Sequence, residues 1–122
     1  MLVFLESFAV VATAALAQVE IAAALAKAVR QDWIDRQSAV EAWEDFLGHW
    51  PAYTRLPDSA SRVERATQLV WQHSLGAFDA IHLACALTWQ EATGEETVFA
   101  CFDKRLRQAA SEEGLKIWPA EV

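Results

Sequence analysis

Apolar and polar positions change rhythm several times along this chain, and each change predicts an element. Phe8 to Thr13 (FAVVAT) is a short apolar run rich in β-branched residues and reads as a buried strand. From Ala14 to about Arg30 the chain is mostly Ala, Leu, Gln, Glu and Lys, all good helix formers. Ser38 followed by Glu41 fits a capping box and opens a helix, with Gly48 as its stop. Trp43, Phe46, Leu47 and Trp50 share one face of that helix, at i, i+3, i+4 and i+7. Tyr53 to Leu56 reads as a short strand or an extended link, broken by Pro57-Asp58. Ser61 and Glu64 form a second capping box, inside a helix running to about His73 with Gly76 as its stop. Phe78 to Glu91 predicts another helix, closed by Gly94. Thr97 to Cys101 (TVFAC) reads as a strand, and Asp103 as the N-cap of a helix from Lys104 to Glu113 with Gly114 at C′. Ile117-Trp118 predicts a final short strand, stopped by Pro119.

Strands separated by helices imply an α/β layer with parallel strands. Their apolar character throughout suits a sheet covered on both faces. A length of 122 residues suits one domain, spanning 1–122, with a single core. The hydrophobic fraction of 54% excludes a disordered chain. Two cysteines do not make a disulfide framework, which points to a reducing compartment, the cytoplasm. The longest uncharged run, Ser7 to Val19, is too short to span a membrane. Ala15-Leu16-Ala17 looks like a signal-peptidase site, but Glu6 stands where a positive region belongs and the first basic residue is Lys27. The formal charge of −7 repels free nucleic acid unless bound cations or a basic partner invert the local field.

Within this pattern, lone acids in apolar surroundings carry the candidate chemistry. Glu20 lies inside AALAQVEIAAALA, where Leu16, Val19 and Ile21 suggest a largely buried face. A carboxylate buried there without a partner costs several kcal/mol. Lys27 and Arg30 are not at neighbouring helical spacings, so a metal ion is a good candidate partner. Asp79 sits near the start of the helix within GAFDAIHLACAL, and Asp103 directly follows the strand TVFAC. Helix capping and the macrodipole account for Asp79 and Asp103 equally well. Ligands of open α/β sheets bind beyond the carboxyl ends of the strands. Were Glu20, Asp79 and Asp103 to converge there, their mutual repulsion would call for a cation, and oxygen ligands select Mg²⁺ or Mn²⁺.

The segment Phe78-Asp79-Ala80-Ile81-His82-Leu83-Ala84 resembles the (Y/F)DAxHLA signature of PIN-domain ribonucleases of the VapC toxin type. Phe102-Asp103-Lys104-Arg105-Leu106 resembles their xDxRL segment, and Val11 to Glu20 resembles the strand-to-helix stretch that ends in their buried Glu. The three motifs occur in the family's order and cover about residues 8–118. The resemblance implies a PIN-like three-layer α/β/α fold with a short parallel sheet. It also implies an endoribonuclease dependent on Mg²⁺ or Mn²⁺, a homodimer, neutralised by a cognate small antitoxin protein. Glu20, Asp79 and Asp103 would then be the catalytic and metal-binding residues. In one respect the sequence departs from the family, whose first, central strand ends in an Asp. Here no Asp precedes Asp32. In one alignment that strand is missing; in the other, Leu2 to Ser7 replaces it and Glu6 takes the place of the Asp as a metal ligand. The first is favoured because LESFAVVAT joins the next strand with no room for a helix. The departure motivates an alternative function, a catalytically impaired PIN-fold remnant that binds a partner or itself.

Other residues have two readings each. His82 shares a helix face with Asp79 and reads as a packed histidine or a metal ligand. With Cys85 it makes only half a zinc site. His49 and His73 read as surface or boundary residues. Lys104, Arg105 and Arg107 either meet RNA phosphate or form a solvated face paired with Glu112 and Glu113. Cys101 stands where the family often has Thr or Ser. The stripe from Trp43 to Trp50 packs on the core or on a partner chain, and the helices of this region receive the antitoxin in toxins that this chain resembles.

Overall fold

The computed structural model describes residues 10–121. Glu6, the replacement strand Leu2 to Ser7 and the first residues of the predicted opening strand, Phe8 and Ala9, lie outside them. The chain divides into two compact units, the first ending at Pro57 and the second beginning at Asp58.

In unit one, strand β1 (Ala12–Ala14) pairs in parallel with β2 (Thr54–Leu56), so the Tyr53 to Leu56 segment is a strand and not merely a link. Ala12 faces Thr54 and Ala14 faces Leu56 in the register. The amide of Ala15 extends the ladder to the Leu56 carbonyl at 2.9 Å. For that reason helix α1 (Ala17–Arg30) starts later than its composition predicts. Helix α2 (Arg36–His49) is capped by Asp35, whose Oδ1 accepts from the Ser38 amide at 2.6 Å. Ser38 is thus inside the first turn and is not the cap, because an ionised acceptor stands three residues before it. Gly48 does not stop this helix. The chain continues through His49 into a 3₁₀ turn (Trp50–Ala52), and Trp50 ends up buried beneath Phe46 and Tyr53, with ring centroids 5.1 and 6.4 Å away. Burial of a large indole outweighs the roughly 1 kcal/mol helix penalty of one glycine.

In unit two, helix α3 (Ala60–His73) is capped by Ser59, whose Oγ accepts from the Arg62 amide at 3.2 Å. It ends on Ser74 in the left-handed conformation (φ 55°), ahead of the expected Gly76. Gly76 instead occupies the N-cap position of α4 (Ala77–Thr93), which Gly94 closes at φ 69° as the sequence predicts. Strands β3 (Val98–Ala100) and β4 (Lys116–Trp118) pair in parallel, Phe99 opposite Ile117. Parallel neighbours need a crossover, and helix α5 (Lys104–Glu112) supplies it. Asp103 caps α5. At the other end Leu115 donates to the Ala110 carbonyl (3.0 Å) and Gly114 to Ser111 (3.1 Å), a Schellman closure at Gly114, φ 91°.

Leu83 and Ala84 at the middle of α4 are fully buried, surrounded by Leu69, Leu87, Leu106, Ala109 and Leu115, with Phe99 and Ile117 packed against them. Two parallel strand pairs with helices between the strands give the α/β class that the sequence predicts. The strands are less covered than their apolar sequence suggests. Thr54, Arg55, Ala100 and Lys116 are exposed, since each ladder is only three residues long and two strands wide. No helix among the described residues is long and apolar enough to cross a membrane.

Candidate active site

The starts of α4 and α5 and the end of α3 enclose an open pocket of about 780 Å³ in unit two. Asp79 and Asp103 both line it. Asp79 is in the first turn of α4 and is half-buried. The helix has no side-chain cap at Gly76, so the Asp79 carboxylate is the acid that meets the positive end of its dipole. Asp103 is reached directly from the carboxyl end of β3 and is exposed. Its Oδ1 accepts from the Leu106 amide at 2.9 Å, which leaves Oδ2 as the oxygen for other work. Capping and chemistry therefore coexist on this residue.

Between the two acids in the chain's path lies Cys101. Burial pushes its thiol above the usual range; the Arg107 guanidinium opposes this, and the charges of Asp103 and Asp79 add to it. One thiol thus feels both carboxylates.

The three basic residues after Asp103 divide by role. Lys104 and Arg105 line the pocket. Arg105 also donates through Nη1 to the Ser74 carbonyl at 3.0 Å, which ties α5 to the left-handed turn after α3. Arg107 is buried and donates to the carbonyls of Cys101 (3.1 Å) and Ala120 (3.3 Å), so it is a structural strut and does not reach phosphate. Glu112 and Glu113 do not pair with these bases as the solvated-face reading expects. They pair with His73, whose Nε2 lies 2.7 Å from Glu113 Oε1 and whose Nδ1 lies 3.2 Å from Glu112 Oε2. Its side chain is only 6% exposed, while the residue as a whole is half-buried, so His73 is a boundary residue whose ring is turned inward. No local cue announces this pairing, since both partners are about forty positions away, at the end of α5.

Glu20 belongs to unit one, in the first turn of α1, and is half-buried. The face around it is only partly covered: Leu16 and Ile21 are half-buried, Val19 is 70% exposed, and Ala17 is the α1 residue that is buried. His82 is half-buried on α4, beside the buried Cys85. Among the described residues, no three His, Cys, Asp or Glu side chains are grouped to hold a metal ion. What the pocket brings together is the pair Asp79 and Asp103.

The predicted aromatic stripe of unit one splits. Trp43, Phe46 and Trp50 stack in sequence, with Trp43 and Phe46 at 5.4 Å, while Leu47 stays exposed. Trp43 also faces a groove of about 330 Å³ between α1 and α2, walled by Leu25, Val29, Ala39 and Val40, with Arg36 at its edge.

The family model for the PIN domain matches residues 2–112. Two curated relatives from Mycobacterium tuberculosis are similar over most of the chain: Ribonuclease VapC45 of strain CDC 1551 / Oshkosh and Ribonuclease VapC49 of strain ATCC 25618 / H37Rv. Each is 35% identical over 111 residues, which is 88% of this chain and 72% of the relative. An acid pair beside a parallel βαβ crossover, a family model matching almost end to end and relatives of this similarity agree, and the chain belongs to the PIN-domain family.

Proposed function

We propose that this protein is a divalent-metal-dependent endoribonuclease that hydrolyses RNA phosphodiester bonds as the toxin of a toxin–antitoxin pair. The observation that carries the reading is the opening of Asp79 and Asp103 onto one pocket at two helix N-termini. The relatives' names as ribonucleases support it.

The donor chemistry fits Mg²⁺ or Mn²⁺. Asp79 and Asp103 offer hard carboxylate oxygens. Burial pushes the nearby Cys101 thiol above its usual range, which disfavours it as a thiolate ligand for a softer ion. A bound divalent ion supplies Lewis acidity toward phosphate and lowers the pKa of water. The chain's own contribution is to hold two carboxylates on rigid helix starts and to place Lys104 and Arg105 where a phosphate's charge needs balancing. Glu20 keeps the metal-site role that its motif implies, and Glu6 the same role under the second alignment; both assignments rest on motif order.

The apolar groove of unit one suits a helix of the antitoxin, entering by its apolar face. Homodimerisation and a cytoplasmic location complete the reading. Light scattering on the purified chain tests the dimer.

The deciding experiment is cleavage of RNA with Mg²⁺, with EDTA, and by Asp103→Asn. Cleavage that EDTA stops and Asp103→Asn abolishes is expected. Mn²⁺ titration by calorimetry should show weaker binding by Asp79→Asn than by the wild type, and equal binding would remove the metal site. Uncut RNA in every condition would leave the alternative, a PIN fold that binds partners without catalysis.

A further inference from the structure

A chain of polar contacts joins the end of α3 to α5. Glu113 Oε1 lies 2.7 Å from His73 Nε2, and Glu112 Oε2 lies 3.2 Å from His73 Nδ1. Gln108 Nε2 donates to the other oxygen of Glu112, Oε1, at 2.9 Å. His73, Gln108 and Glu112 are among the residues that line the pocket, so Glu112 is a third acid of its wall in addition to Asp79 and Asp103. A neutral imidazole has one N–H and one lone pair. It donates to one carboxylate and turns a lone pair toward the other; only the doubly protonated ring donates to both. The two glutamates differ in how firmly they are held. Glu113 is the nearer and its side chain is 23% exposed, whereas that of Glu112 is farther from the ring and 53% exposed. The charge of Glu113 also acts on the Arg65 guanidinium, a second cation on its side. A ring with one proton therefore keeps Glu113 and releases Glu112, and the pocket is the space open to it.

The charges of the lining decide what this means for an anionic ligand. Asp79, Asp103 and Glu112 are its acids, and Lys104 and Arg105 its permanent bases. With a second proton on His73 the lining carries three groups of each sign; with one proton the acids outnumber the bases three to two. An excess of negative charge in a cleft repels phosphate. We infer that His73 is a positioning residue of the pocket: its imidazolium holds Glu112 to the wall and cancels its charge, so that an RNA phosphate meets Lys104 and Arg105 and no unneutralised third carboxylate. The inference rests on the ribonuclease reading and deepens it, by naming a residue that governs substrate binding without touching the substrate.

The test is fluorescence anisotropy of a labelled RNA dodecamer at low salt, in EDTA to prevent cutting. His73→Gln, which carries no charge at any pH, should weaken binding about threefold, the worth of one exposed charge pair. Glu112→Gln should bind at least as tightly as the wild type. The double variant, His73→Gln with Glu112→Gln, should recover wild-type binding, because no carboxylate is left for the ring to hold. As pH rises and NMR of the ring nitrogens shows the second proton leaving, the wild type should weaken to the level of His73→Gln. His49 and His82 are present in both proteins, so their titration cancels in the comparison. In Mg²⁺, His73→Gln should raise KM by the same factor and leave kcat within about twofold. A clasp that only stabilises the fold predicts a double variant that binds no better than His73→Gln, and thermal unfolding of each variant shows whether the fold is intact. That result would overturn the positioning role alone, as would unchanged binding by His73→Gln in a wild type that binds RNA, or a gap between the two that persists after the ring has lost its second proton. A wild type that neither binds nor cuts RNA would overturn the ribonuclease reading together with it.

Discussion

Unit two packs Leu69, Leu83, Leu87 and Leu106 into one cluster against a parallel strand pair, whereas among the described residues of unit one the buried apolar ones are three alanines and Trp50. Unit one also leaves Val19, Trp33, Val40 and Leu47 exposed. Its helices follow from local propensity, being rich in Ala, Leu, Gln and Glu, and do not need a deep core to be helical. Those of unit two are committed by burial. The contrast explains where the acid pair sits. Carboxylates that line one pocket repel each other, and elements fixed by packing keep them in place. A thinly covered helix pair is better suited to meeting another chain.

Substitutions sharpen that contrast. The largest effect is expected on catalysis: Asp103→Asn and Asp79→Asn should each lower RNA cleavage by at least about 100-fold, since even residues behind a metal's ligands are worth 10- to 100-fold. Next is stability, read by urea unfolding. Leu83→Ala should cost about 3 kcal/mol through the cavity it leaves, while Val40→Ala in unit one should cost below about 1 kcal/mol. Equal costs would erase the distinction between the units. Replacement of His73 by Ala leaves Glu112 and Glu113 without their shared partner and should cost about 1–3 kcal/mol in the same measurement. Loss of the Ser59 cap by Ser59→Ala should cost about 1 kcal/mol.

Smaller effects report the electrostatics. Since the Cys101 pKa is raised, little thiolate is present at pH 8, and alkylation by iodoacetamide should be slower than for a free thiol. Asp103→Asn and Asp79→Asn remove charges that raise it, so both should speed alkylation of Cys101; no change would separate the thiol from the acids. In unit one, the Ser38 amide and hydroxyl hold the Asp35 carboxyl below its usual range. Its folded pKa is depressed, so the cap's stabilisation is present above the unfolded pKa and fades as pH falls through the folded one. Asp35→Asn should flatten the acid limb of the stability curve. The smallest effect belongs to the exposed pair of Arg65 and Glu91, two bonds of 2.8 and 2.6 Å: Glu91→Gln should cost below about 1 kcal/mol and less still at high salt.

The elements were legible in the sequence wherever a strong local signal stood alone. Gly94, Gly114 and the Asp103 cap were placed correctly because left-handed closure and N-capping depend on one or two residues. Competing signals misled. Ser61 and Ser38 fit the cap pattern in the sequence, but Ser59 and Asp35, two and three residues earlier, take the role. Gly48 predicts a stop, yet burial of Trp50 carries the chain onward. The sequence predicts a largely buried face around Glu20, yet Val19 is exposed and Leu16 and Ile21 are half-buried, because composition shows that a helix is apolar and not which face is covered.

The order of the acidic motifs, the helix formers and the capping residues are properties of the chain itself, and they determined the PIN-domain assignment and the elements. Tertiary structure alone decided that Asp79 and Asp103 share a pocket, that Arg107 turns inward to brace two carbonyls, and that His73 lies between two glutamates about forty positions away. Such contacts join side chains whose separation along the chain carries no periodic signal, so only packing brings them together.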